Sequence, residues 1–181
     1  MSDFDAKHEE TIHDGPRFTV KKGTFGSGDD EREREYVESP AAVAVLAYDD
    51  EQIYLVRQAR EAIGRDDILE LPAGLMDVEG ESPLDTAKRE LEEEIGIEAS
   101  EWVEATSYFS SSGMTDEVTH VFLATGLRKV SDVEEGIEHV TWPLDDLDGL
   151  IDGNADAATL IGALWLRRAQ LNGGTAGTPA T

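Results

Sequence analysis

Apolar and polar residues alternate over RFTVKKGTF at 17–25, the period of two that a strand requires. GSGDD at 26–30 is a turn, and residues 31–38 read as the returning strand of a hairpin. AAVAVLAY at 41–48 is a nearly continuous apolar run of strand length, which predicts a buried strand. Asp49, Asp50 and Glu51 turn the chain, and QIYLVRQ at 52–58 returns as its partner. A further short strand at 68–71 ends at Pro72-Ala73-Gly74.

The pattern then changes to a helical one. Ser82 is a capping residue, Pro83 occupies the first helical position, and an acid, Asp85, stands at the third. Leu84, Ala87, Leu91 and Ile95 fall on one stripe, and Gly96 ends the helix in a left-handed conformation. Residues 102–109 and 118–125 are strand-like and flank the loop SSSGMTDE. One more strand is read at 140–142 and a last helix at 155–171. Residues 1–15 show little periodicity and are read as weakly ordered, and the tail GGTAGTPAT as disordered. Strands, one helix, more strands and a final helix predict an α+β or mixed α/β layered domain.

Composition narrows the classes. A chain of 181 residues suits one domain with a small appendage. It has no cysteine, so neither a disulfide nor a thiolate metal site can form within it. The N-terminal MSDFDAKHEE lacks an apolar signal core, and no stretch approaches membrane-span length. A cytoplasmic protein without a membrane partner is the expectation. The net charge of -25, from 40 acidic and 15 basic residues, argues against nucleic acid as a partner. The acids are spread along the chain and only five of the basic residues are lysine, which suggests the surface of a halophilic protein whose self-repulsion salt screens.

On the predicted helix, Glu90, Glu93 and Glu94 are related by i+3 and i+4, and Glu81 stands just before it. Unpaired, such carboxylates cost roughly 0.2–0.5 kcal/mol per close pair. A hard divalent cation reverses that sign. Spacing alone fits a solvated acidic helix face as well as a cation site.

The residues around them extend the pattern. From Gly74 onward the segment resembles the Nudix box, G-x5-E-x7-R-E-U-x-E-E-x-G-U with U aliphatic. Glu81 is followed after seven residues by Arg89-Glu90-Leu91-Glu92-Glu93-Glu94-Ile95-Gly96-Ile97, so each specified position from Glu81 onward matches. Six residues rather than five separate Gly74 from Glu81. The extra one falls in the loop 77–80, which absorbs an insertion far better than a helix does. It would act, if at all, by shifting Ala73 and Gly74 relative to a metal.

The resemblance implies a Nudix hydrolase, an α/β/α sandwich in which a mixed sheet packs between helices. It implies Mg²⁺, with Mn²⁺ able to substitute, and a nucleoside diphosphate substrate. By position Glu90 and Glu94 would be the principal metal ligands, Glu93 a further one and Glu81 a supporting one, with Arg89 holding the carboxylates in place. LELPAG at 69–74 is similar to the strand entering the box in ADP-ribose pyrophosphatases, where the carbonyl at Ala73 would bind metal and Glu70 would lie near substrate. VRQAR at 56–60 resembles their RQYR stretch, with Arg57 or Arg60 on the diphosphate. SSSGMTDE resembles their SPGxSDE-like loop, with Ser112 in place of proline, Gly113 at the substrate, and Glu117 or its neighbour Asp116 as general base.

That branch implies hydrolysis of ADP-ribose to AMP and ribose 5-phosphate by a homodimer. The domains expected are a tail and β region at 1–38 suited to dimerisation, a hydrolase domain at 39–172, and the tail at 173–181. Hydrolysis of another nucleoside diphosphate derivative, and a non-catalytic binding module of the same fold, are the competing readings.

Overall fold

The computed structural model describes residues 5–132 and 136–172. The tail at 173–181 lies outside the described residues, so the expectation of disorder there is not addressed. The chain divides into two compact units, one of Met1–Ala41 with Tyr108–Val118, the other of Ala42–Ser107 with Thr119–Thr181.

In the first unit, β1 (His8–Asp14), β2 (Thr19–Phe25) and β3 (Arg32–Glu38) form an antiparallel sheet in the order β1-β2-β3. Strand β1 corrects the expectation of weak order for residues 8–14, while residues 1–4 lie outside the described residues. All seven of its residues are exposed. Its hydrophobic pattern therefore carries no signal, and main-chain pairing to β2 holds it. Cross-strand ion pairs add to the ladder, Lys21 reaching Glu9 at 2.8 Å and Glu38 at 2.6 Å. The segment between Phe109 and Val118 lies against the end of β3, where the Val37 amide donates to the Met114 carbonyl at 2.8 Å.

The second unit is built on β4 (Ala42–Tyr48), β5 (Gln52–Arg60), β6 (Arg65–Glu70), β7 (Ala73–Leu75), β8 (Ile97–Phe109), β9 (Val118–Lys129) and β10 (Glu138–Pro143). Their order is β10-β5-β4-β9-β8, with β6 on β5 and β7 on β4. The sheet is mixed, because β4 runs parallel to β9 and antiparallel to β5 and β7.

Strand β4 explains the layers. Val43, Val45 and Ala47 face a cluster with Ala87, Leu91 and Ile95 of α1 (Pro83–Ile95). Ala44 and Leu46 face a second cluster, with Leu147 and Leu150 of α2 (Leu147–Gly153) and Ala163 and Leu166 of α3 (Ala157–Leu171). Successive side chains of a strand point to opposite faces, so a run apolar at every position needs cover on both. Each fully buried Leu or Ile contributes about 1.5–3 kcal/mol. Helix α2 is absent from the sequence reading although Leu147, Leu150 and Ile151 keep helical spacing, because seven residues give under two full turns in which to see a period.

The same strand places the site. It pairs with β5 only at Ala47 and Tyr48, then with β7 at Ala42, Val43 and Ala44. Between the two, the Val45 amide donates to the Pro72 carbonyl at 2.8 Å. Proline has no amide to offer a ladder, and this switch of partner lays Ala73 and Gly74 alongside α1. Among the described residues no helix is long and apolar enough to cross a membrane.

Candidate active site

The local sequence builds α1 as expected. The Ser82 hydroxyl accepts from the Asp85 amide at 3.2 Å and donates to the Asp85 carboxylate at 2.7 Å. Gly96 closes the helix at φ 69°, its amide donating to the Glu92 carbonyl at 2.9 Å. The apolar stripe is buried at Ala87, Leu91 and Ile95 and half-buried at Leu84.

The glutamates differ in their surroundings. Glu94 is 7% exposed, and one of its carboxylate oxygens accepts from the Ala73 amide at 3.0 Å. Glu90 is half-buried beside Gly74, where an added Cβ would lie 2.0 Å from the Glu90 Cδ. Glu93 is exposed. The spacing suggested three carboxylates on one face. The fold buries Glu94 and half-buries Glu90 against the Ala73–Gly74 backbone and leaves Glu93 exposed.

Arg89 binds the cluster together. Its Nη1 reaches Glu90 at 2.6 Å and Glu93 at 3.0 Å, and its Nε reaches Glu81 at 3.3 Å. Burial pulls the guanidinium pKa down, but Glu90, Glu93 and Glu81 outweigh it and hold the group above its ordinary value. Burial pushes the Glu90 carboxyl up against the opposing pull of Arg89. Burial is the first cause at Glu90, and the neighbouring Glu93 and Asp77 add to it.

The donors suit a hard divalent cation, being carboxylates and backbone carbonyls with no thiolate among them. The close approach of Gly74 to Glu90 keeps main chain beside that carboxylate. Among the described residues no three acidic or imidazole side chains already converge on one point. The Arg89 guanidinium stands among the glutamates instead.

The other expected residues are placed as follows. Arg60 lies on Glu70, its Nε 2.8 Å from one carboxylate oxygen, and Glu70 is 6% exposed. Glu70 is the main reason that the Arg60 pKa is raised. Arg57 is partly exposed and makes two long contacts, to the Asp67 carbonyl of β6 and to Glu138 of β10, each at 3.4 Å. Gly113, Asp116 and Glu117 belong to the first unit. There the Glu117 carboxylate accepts from the hydroxyls of Ser110 and Ser39, the latter at 3.2 Å, and Asp116 accepts from the Ser39 amide at 3.0 Å.

Residues 38–164 match the NUDIX domain. The chain belongs to the Nudix family. Over 130 residues it is 44% identical to an ADP-ribose pyrophosphatase of Mycobacterium tuberculosis, a match covering 71% of this chain and 62% of that protein. The chain thus spans under two thirds of that relative's length. It is 39% identical over 142 residues to an ADP-ribose pyrophosphatase of Bacillus subtilis, covering 74% of this chain and 76% of the relative. A solved structure of an ADP compounds hydrolase superposes with a TM-score of 0.82 at 22% identity, over 94% of this chain and 95% of that one. It shares the Nudix fold, a mixed sheet packed between helices.

Sequence reading missed the residues that fasten the strand entering the Nudix box. Thr159 of α3 accepts from the Leu71 amide at 3.0 Å, and Asn154 donates to the Leu69 carbonyl at 2.9 Å. Asp156 caps α3, accepting from the Thr159 amide at 2.8 Å. The capping pattern Asp156-x-x-Thr159 was the available signal. Its partner 88 residues away was not.

Proposed function

We propose that this protein hydrolyses the diphosphate bond of ADP-ribose to AMP and ribose 5-phosphate in a Mg²⁺-dependent reaction, with Mn²⁺ able to substitute. The observation that carries the reading is the placement of Glu90 and Glu94 against the Ala73–Gly74 backbone, with Arg89 tying Glu90 to Glu81 and Glu93. The names of the mycobacterial and Bacillus relatives supply the substrate.

Glu90 and Glu94 offer the principal metal-binding oxygens, with Glu93, the Ala73 carbonyl and Glu81 as further donors. A divalent cation held by these residues would supply charge neutralisation for the diphosphate and a water of lowered pKa. Arg89 limits how far the carboxylates can swing, since its planar fork engages several of them at once. Arg60 and Arg57 bind phosphate oxygens, Arg60 by exchanging Glu70 for substrate. Gly113 lets the loop backbone approach the substrate. Glu117, held by two serine hydroxyls, is the general base that takes the water's proton.

A chain of net charge -25 repels an anionic substrate, so screening by cation and salt is part of the function. The reading includes a halophilic, cytoplasmic homodimer that pairs through the N-terminal sheet.

The test measures AMP release from ADP-ribose at high salt, with and without Mg²⁺, for wild type, Glu94→Gln and Glu117→Gln. Metal-dependent release that collapses in both variants is expected, with metal affinity reduced only in Glu94→Gln. Ser112, where the related loop carries proline, favours a second reading: a different nucleoside diphosphate derivative as substrate. Cleavage of such a compound with ADP-ribose untouched would establish it. No cleavage across a panel with metal present would point to a binding module.

A further inference from the structure

Thr86 stands at the end of the first turn of α1 and is fully buried. Buried threonines in helices usually return their hydroxyl to the carbonyl one turn back. Here the Thr86 amide takes the Ser82 carbonyl at 3.0 Å, while the hydroxyl donates to the Glu81 carboxylate at 3.0 Å. Threonine is a weaker helix former than alanine, and its β-branch restricts χ1. A stiff rotamer with one buried donor aims that donor in a fixed direction.

Glu81 also accepts from Arg89, whose Nε and Nη2 lie 3.3 Å away. Arg89 divides its fork among Glu81, Glu90, Glu93 and the Leu75 carbonyl. The shorter and undivided bond to Glu81 is therefore the one from Thr86.

We infer that Thr86 is a positioning residue: its hydroxyl orients Glu81, Glu81 orients Arg89, and Arg89 sets the directions of Glu90 and Glu93 toward a divalent cation. This rests on the metal-site reading above and names a residue at an unspecified position of the box that tunes it. Outer partners of metal ligands commonly change affinity by about 10–100-fold when removed.

The test is Mn²⁺ affinity without substrate, followed by electron paramagnetic resonance of the free ion. It compares wild type, Thr86→Val, Thr86→Ala, Thr86→Ser and Glu81→Gln, with urea midpoints recorded for each. Valine keeps the shape and removes the hydroxyl, serine keeps the hydroxyl, and alanine serves if valine fails to fold. Expected are roughly tenfold weaker binding in Thr86→Val and Thr86→Ala and near-normal binding in Thr86→Ser. Adding Thr86→Ala to Glu81→Gln should produce no further loss, because both changes cut one path. Unchanged affinity in Thr86→Val and Thr86→Ala, with wild type binding normally, would overturn the positioning role alone. So would additive losses in the double variant. A wild-type chain that binds no Mn²⁺ would overturn the metal-site reading together with this one.

Discussion

Gly74 and Glu90 share one space: a Cβ at residue 74 would lie 2.0 Å from the Glu90 Cδ and 2.1 Å from its Oε1. The glutamate fills the volume that any larger residue would claim. Since what stands in the way is the end of a flexible side chain, Gly74→Ala is expected to fold with stability within about 1 kcal/mol of wild type. Glu90 must swing aside, and activity should fall by about 10²-fold, as misplacement near 1 Å does. Urea denaturation beside kcat/KM checks this. Full activity in a folded Gly74→Ala would separate Glu90's position from catalysis.

Arg89 counters several carboxylates with one charge. Its side chain is 25% exposed, so removal should cost less than the ~3–5 kcal/mol of a fully buried pair, about 2 kcal/mol. Arg89→Ala should recover part of this loss in high salt and more in Mg²⁺, both of which screen or bind the orphaned carboxylates. Urea unfolding at several Mg²⁺ concentrations makes the comparison. A loss insensitive to both would mean Arg89 acts through packing.

Thr159 satisfies a buried amide. Thr159→Val leaves the Leu71 amide without its acceptor and should lower stability by about 1–3 kcal/mol, with the urea m-value unchanged. Thr159→Ser should restore most of it. A neutral valine variant would mean that the Leu71 amide finds another acceptor.

His139 stacks on Tyr54 with ring centroids 5.7 Å apart and planes at 12°. Burial, then Lys129, depresses its pKa below 6.5. Its folded value is the lower one, so as pH falls below 6.5 the unfolded chain takes up a proton first. Stability declines until the folded pKa is passed. His139 is exposed to solvent, so the decline is shallow. Melting temperatures between pH 7.5 and 5.0 should fall less in His139→Phe, which keeps the stacking. Parallel curves for the two proteins would refute the assignment.

Helix α1 was legible because its information is local. A capping serine, a proline, a helical stripe, a terminal glycine and a spaced set of charged residues all lie within a few turns, where backbone geometry fixes neighbours. The buried strand β4 was legible for a similar reason, since only a strand covered on both faces is apolar at every position. Strand β1 was not, because a fully exposed strand has no hydrophobic period.

Only the tertiary structure decided which carboxylates are buried. A helical wheel places Glu90, Glu93 and Glu94 together, but β7 arrives by pairing with β4 and covers Glu90 and Glu94, leaving Glu93 in solvent. It also shows the path of the loop that carries the extra residue before Glu81. The loop turns at Gly80 with φ 87°, and Gly74 still abuts Glu90. Sequence by itself determined the composition, spacing and local helix of the site. Strand pairing determined the rest, because hydrogen bonds between residues far apart in the chain place the Ala73–Gly74 backbone, and no local pattern encodes them.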